Sequence, residues 1–247
     1  EIIEEMTNYE IYHSKFQYQY LIQKLKRVSK KAAWQLTQQL QSGLFEPAAF
    51  EVAFGNREGA VPPIVIRLKN GETLLIQGVI DRVDKVTLDD EHYIKIIDYK
   101  SGRKSLSLSD IYNGLQMQLM VYLKACLDNP QYFSVEEVLP AGAFYFKIDD
   151  PMIESTEQIA ERIEAKIASE LKMDGFSLEI AKVLRSLDTA LYENKSSNVI
   201  QVKLKVDGDF TKDSKVMPLE AFEGMVKHVN ETISTIGSEL LQGKIDI

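Results

Sequence analysis

The sequence predicts a mixed α/β domain with a helical addition on its C-terminal side, on three observations. Apolar residues recur at helical spacing over 14–41, short β-branched runs separated by turn residues fill the next stretch, and helical spacing returns after residue 156. A helix followed by strands, a helix, a strand and further helices is the order of a sheet with helices packed on it.

Each element has its own warrant. In the first helix Phe16, Tyr20, Leu21, Leu25, Val28, Ala32, Leu36 and Leu40 form the apolar stripe, and Gly43 stops it. On that stripe Trp34 is expected to pack into the core rather than stack on bases. Phe50-Glu51-Val52-Ala53-Phe54 alternates weakly, and Ile64-Val65-Ile66-Arg67-Leu68 follows two prolines. Asn70-Gly71 then supplies a hairpin turn into one strand over 73–83. A further strand covers 93–99, with Asp89-Asp90-Glu91 as a solvated loop before it. Ser109-Asp110 caps a helix reaching Leu127, which Asn129-Pro130 ends. Residues 141–148 read as a buried strand, 156–172 and 177–192 as helices, 199–206 as a short strand and 218–242 as a long helix.

Composition narrows the function classes. With 247 residues, 45% of them hydrophobic, the chain can bury a real core. A net charge of -8 argues against a general polyanion binder, although a carboxylate-rich metal site is itself acidic. No apolar run nears the roughly 20 residues of a membrane span, so no membrane partner is expected. Glu1-Ile2-Ile3-Glu4-Glu5 is no signal peptide and lacks an initiating Met, so the parent chain is expected to extend beyond both ends. Cys126, the single cysteine, sits among apolar helical positions as a buried thiol, which suits a reducing cytoplasm.

The chemistry lies between residues 71 and 122. Gly78-Val79-Ile80-Asp81 and Ile96-Ile97-Asp98-Tyr99-Lys100 each end an apolar strand with acids. Alternation puts Asp98 and Lys100 on one strand face. If the two strands are neighbours, Asp81 and Asp98 converge with Lys100 beside them. Two carboxylates suit Mg²⁺ or Mn²⁺, hard cations that take oxygen ligands. Such a metal activates water and neutralises a phosphodiester, and an ammonium stabilises the transition state. On the helix that follows, Gln118 and Tyr122 are four apart and share a face. Taken singly, each strand motif reads as well as surface acids paired with Arg82 and Lys100.

Gly-x-x-Asp, Asp-x-Lys and Gln-x-x-x-Tyr in that order resemble the RecB-type branch of the PD-(D/E)XK nucleases. Residues 78–85, 97–101, Tyr112-Asn113-Gly114-Leu115, 140–143 and 150–153 further resemble the B-subunit family of the AddAB-type (RexB in some bacteria) ATP-dependent helicase–nucleases. The resemblance continues more weakly through Ser196-Ser197 and Gly208-Asp209-Phe210. It implies a restriction-endonuclease-like core, a mixed central sheet flanked by helices, with a helical C-terminal extension. The implied division is an N-terminal helical segment over 1–43, a nuclease core over 44–150 and a mainly helical extension over 151–247, one domain overall. It also implies that Asp81 and Asp98 ligate Mg²⁺ or Mn²⁺, that Lys100 is the catalytic lysine, and that Gln118 and Tyr122 line the site. The implied partners are single-stranded DNA from unwound duplex and an A-type helicase–nuclease subunit in a heterodimer, acting in cytoplasmic recombination repair.

Two family features are missing from the sequence. No helix bearing a metal-proximal His or Glu stands in 1–50, where His13 is the only histidine, so that helix is expected upstream. The four cysteines of a 4Fe-4S cluster, found in many members of the B-subunit family, would belong to the full-length protein only. A nuclease fold that clamps DNA without cutting, and a stand-alone exonuclease, are the alternatives. Among other polar residues, Glu51 is expected at the surface, Asp84 in a salt bridge, and His92 and His228 exposed.

Overall fold

The computed structural model describes residues 16–56, 61–102, 105–149 and 160–244. His13 and the segment 150–153 lie outside the described residues.

Six strands form one mixed sheet: β1 (Glu46–Phe54), β4 (Gly78–Leu88), β5 (Glu91–Lys100), β6 (Leu139–Lys147), β7 (Asp174–Leu178) and β8 (Val216–Met217), side by side in that order. The β1/β4, β4/β5 and β6/β7 pairs are antiparallel, while β5/β6 and β7/β8 are parallel. A mixed central sheet flanked by helices is the architecture expected from the sequence. Two of its strands, β7 and β8, come from beyond residue 150.

The expected strand over 73–83 is instead two. β2 (Ile64–Arg67) and β3 (Thr73–Ile76) close a separate hairpin around Gly71, whose φ of 88° suits glycine. The chain then enters the main sheet at Gly78, so Asp81 sits inside β4 rather than at a strand end. β4 runs on to Leu88 and turns back into β5 through Asp89 and Asp90, both with positive φ.

The helix expected over 109–127 is also two. Ser107 caps α2 (Leu108–Tyr112), and Gly114, at φ 76°, breaks the chain before α3 (Gln118–Leu127). These helices lie in the crossover from β5 to the parallel strand β6, and α3 packs on both. Leu119, Met120, Leu123 and Ala125 are fully buried beneath it.

Of the helix expected over 156–172, residues 160–170 are helical in α4 (Ala160–Glu170). The helix expected over 177–192 gives way to the end of β7, a short α5 (Ala181–Leu187) and a 3-10 turn. Residues 199–206 make only isolated bridges, and α6 (Leu219–Leu241) matches the long final helix.

The first helix, α1 (Phe16–Ser42), is present but buries a different face from the one expected. Ile22, Gln35 and Gln39 are its buried residues, whereas Tyr20, Leu21, Leu25 and Trp34 are exposed. Trp34, at 54% exposure, is therefore no core residue. Contact with the body comes at the C-terminal turns, through Ala32 and Leu36, so the stripe ahead of them has no surface to meet.

Candidate active site

The ladder between β4 and β5 begins at Leu88↔Glu91 and ends at Arg82↔Ile97. Beyond that point β4 stays paired with β1 as far as Gly78, and β5 stays paired with β6 as far as Lys100. The two strands therefore fork. Continuing their register by one residue sets Asp81 opposite Asp98, on one sheet face and at one end of the sheet. The Asp81 carboxylate occupies the fork, where its Oδ2 accepts a 2.7 Å bond from the backbone N–H of Tyr99. That bond replaces the ladder partner the Tyr99 N–H loses as the strands part.

Asp98 is buried, and Lys100 Nζ lies 2.7 Å from its Oδ2. The same ammonium donates to Gln118 Oε1 at 2.9 Å, and Gln118 Nε2 donates to the Tyr122 hydroxyl at 2.7 Å. Asp98, Lys100, Gln118 and Tyr122 thus form one chain of polar contacts running from the sheet to the first turn of α3. Gln118 is exposed at the mouth and Tyr122 is buried behind it. Burial raises the Tyr122 pKa, and the nearby Asp98 and Asp81 charges push the same way against the Gln118 bond.

Glycine at position 78 follows from packing. A Cβ there would lie 2.9 Å from the Phe54 ring and 3.5 Å from the Tyr122 ring. Phe54 pairs with Gly78 across the ladder and meets Tyr122 edge-on, centroids 5.9 Å apart. The glycine of Gly-x-x-Asp therefore seats the tyrosine of Gln-x-x-x-Tyr.

Tyr145, a residue the sequence reading left inside a buried strand, belongs to this face. Register pairs it with Asp98, and Lys100 Nζ lies 5.5 Å from its ring centroid. Burial, then the Asp98 charge, push its hydroxyl up to about 12. A hydroxyl in an otherwise apolar strand was the one sequence signal, and only the parallel register with β5 gives it meaning.

On the other sheet face Arg82, Asp84 and Lys95 form a buried ionic group. Arg82 Nε and Lys95 Nζ approach Asp84 at 2.6 and 3.3 Å. Burial pulls the Lys95 pKa down, opposed by Asp84. Asp84 is the salt-bridge partner the sequence suggested, though wholly buried, and Arg82 pairs with it rather than with Asp81. Glu51 is exposed, at φ 49°. His92 and His228 are half-buried rather than exposed: His92 Nδ1 meets Thr87, and His228 stacks on Tyr112 with centroids 4.4 Å apart.

Among the described residues no group of three or more His, Cys, Asp or Glu side chains gathers to hold a metal. The pair at the fork nevertheless fits Mg²⁺ in kind, because that ion keeps several waters and is held by one or two carboxylates. Cys126 is buried, with its pKa pushed up to about 12 by burial, and offers no thiolate for an iron–sulfur cluster.

The profile described as the PD-(D/E)XK nuclease superfamily matches residues 1–199. The chain belongs to that superfamily. Similarity to individual proteins extends over the whole chain. The B-subunit of the ATP-dependent helicase/deoxyribonuclease from Alkaliphilus metalliredigens (strain QYMF) is 43% identical, across 100% of this chain and 22% of its own length. The protein of the same name from Caldanaerobacter subterraneus subsp. tengcongensis is 39% identical over 100% of this chain and 21% of its own. That of Clostridium perfringens (strain 13 / Type A) is 37% identical over 96% and 20%. The chain thus spans about a fifth of the length of the curated relatives it matches. No helix among its described residues is long and apolar enough to cross a membrane.

Proposed function

We propose that the chain is the catalytic module of a metal-dependent deoxyribonuclease, an exonuclease hydrolysing phosphodiesters of single-stranded DNA. The observation that carries this reading is the fork between β4 and β5, where Asp81 faces Asp98 in register and Lys100 links Asp98 to Gln118 and Tyr122. Mg²⁺ or Mn²⁺ held by Asp81 and Asp98 would supply charge neutralisation at the phosphodiester and a water of lowered pKa.

The protein's own groups have separate tasks. Lys100, fixed by Asp98 and Gln118, presents an ammonium where negative charge develops on the phosphorane oxygens. Gln118 holds that ammonium through its carbonyl and anchors itself on Tyr122 through its amide. Tyr122, wedged between Phe54 and the buried face of α3, keeps Gln118 from drifting. The Tyr99 N–H fixes one Asp81 oxygen, so the carboxylate enters the site already oriented.

The name carried by the relatives supports a place beside an A-type helicase–nuclease subunit in a heterodimer, with unwound single strands as substrate and recombination repair in the cytoplasm as the setting. The test is cleavage of an end-labelled oligothymidylate by the full-length protein, in Mg²⁺, in Mn²⁺ and in chelator. Stepwise shortening from an end that stops in chelator is the expected result. Tight binding of the oligonucleotide with no cleavage in any metal overturns the reading in favour of a clamp.

A further inference from the structure

The site face of the sheet continues past Lys100. The parallel register of β5 and β6 pairs Asp98 with Tyr145 and Lys100 with Lys147. Two lysines therefore stand at facing positions on neighbouring strands, their backbones about 4.8 Å apart. Like charges placed so repel one another. Neither ammonium escapes into solvent, since the Lys100 and Lys147 side chains are only 23% and 22% exposed.

Their partners differ. Lys100 has Asp98 at 2.7 Å. Lys147 has only Asp174, at 3.9 Å, beyond hydrogen-bond distance. Asp174 is buried on the next strand, and closer groups already satisfy it: Lys215 Nζ bonds its Oδ1, and the Leu106 N–H donates to its Oδ2 at 3.1 Å. Lys215 is itself tied to the Leu106 carbonyl at 2.9 Å. Among the described residues Lys147 is thus the cation on this face with no hydrogen bond to its ammonium. An anion between the two facing lysines would remove their repulsion and use that capacity.

We propose that Lys147 is a second phosphate contact, gripping the phosphate next to the scissile one on the DNA strand bound at Asp81, Asp98 and Lys100. The contact rests on the nuclease reading of that site. Sequence-independent grip by lysine is how proteins hold a phosphate backbone, and the adjacent phosphate fixes the strand's register over Lys100.

The test measures kcat and KM for a short single-stranded oligothymidylate, without ATP, on the full-length protein over a series of NaCl concentrations. For Lys147→Ala, KM should rise roughly tenfold, the size expected when one charged hydrogen bond is lost. A kcat within about twofold of wild type would mark the loss as one of binding. The slope of log(kcat/KM) against log[NaCl] should become shallower by about 0.7, the value for one phosphate contact on a single strand. Lys147→Arg should restore the slope, and thermal melts of both variants should match wild type. An unchanged slope, or a fall in kcat at constant KM, overturns the contact and leaves Lys147 a structural neighbour of Asp174. Asp98→Asn, run in parallel, separates the failures. Retained cleavage there overturns the site reading and this contact with it, whereas lost cleavage there with an unchanged Lys147→Ala slope overturns the contact alone.

Discussion

Replacing Asp98 with Asn separates catalysis from stability. The Lys100 ammonium lies 2.7 Å from the Asp98 oxygen, so the charge centres are about 4 Å apart, and the attraction is about 4 kcal/mol at an effective dielectric near 20. Against it stands Asp81 at the facing position, where side chains meet at about 5 Å, a repulsion of about 3 kcal/mol on the same basis. Neutralising Asp98 removes both. The remainder is about 1 kcal/mol, or about 2–4 °C in Tm for a chain of this size. The amide oxygen of Asn can still accept from Lys100, which also keeps Gln118, so no buried ammonium is stranded. Cleavage should fall at least about a hundredfold, because one carboxylate is lost where the phosphodiester's charge must be balanced. The assay pairs melts of this chain in chelator with the oligothymidylate assay of the full-length protein in Mg²⁺. A Tm drop of about 10 °C or more with cleavage intact would refute the reasoning and make Asp98 a structural partner of Lys100.

Three further outcomes are expected. Gly78→Ala drives a methyl against Phe54 and toward Tyr122, so urea melts should show a loss of about 1–3 kcal/mol, with reduced cleavage as Tyr122 shifts. Asp84→Ala leaves Arg82 and Lys95 buried without their carboxylate, a loss of about 3–5 kcal/mol by denaturant titration, far more than the same change at exposed Asp90. The Lys182 bond, then that of the Tyr93 hydroxyl, hold Glu91 below the usual carboxylate range. A depressed folded pKa adds stability above the unfolded value of about 4.3 and loses it as pH falls through the folded one, so Glu91→Gln should flatten the acid limb of a Tm-versus-pH curve, and an unaltered limb would contradict the assignment.

The sequence alone determined the chemistry-bearing positions and the class of fold. Asp98 and Lys100 share a face because strand side chains alternate, and Gln118 and Tyr122 share one because helices repeat near four, so local periodicity brought each pair together on paper. It also gave the Asn70-Gly71 turn and the long final helix, whose signals are local. What periodicity cannot carry is where a run of β-branched residues divides between two sheets, and so 73–83 passed for one strand. Nor can it say which apolar stripe finds a surface, and the exposed stripe of α1 shows the cost of assuming one. The tertiary structure decided that β4 and β5 part after Arg82, opening the fork in which Asp81 is oriented by the Tyr99 N–H. It also laid β6 parallel beside β5, which brings Tyr145 to Asp98 and Lys147 to Lys100 across 47 residues of chain. Those contacts depend on register between segments distant in sequence, a quantity set by how whole elements pack and not by any residue's near neighbours.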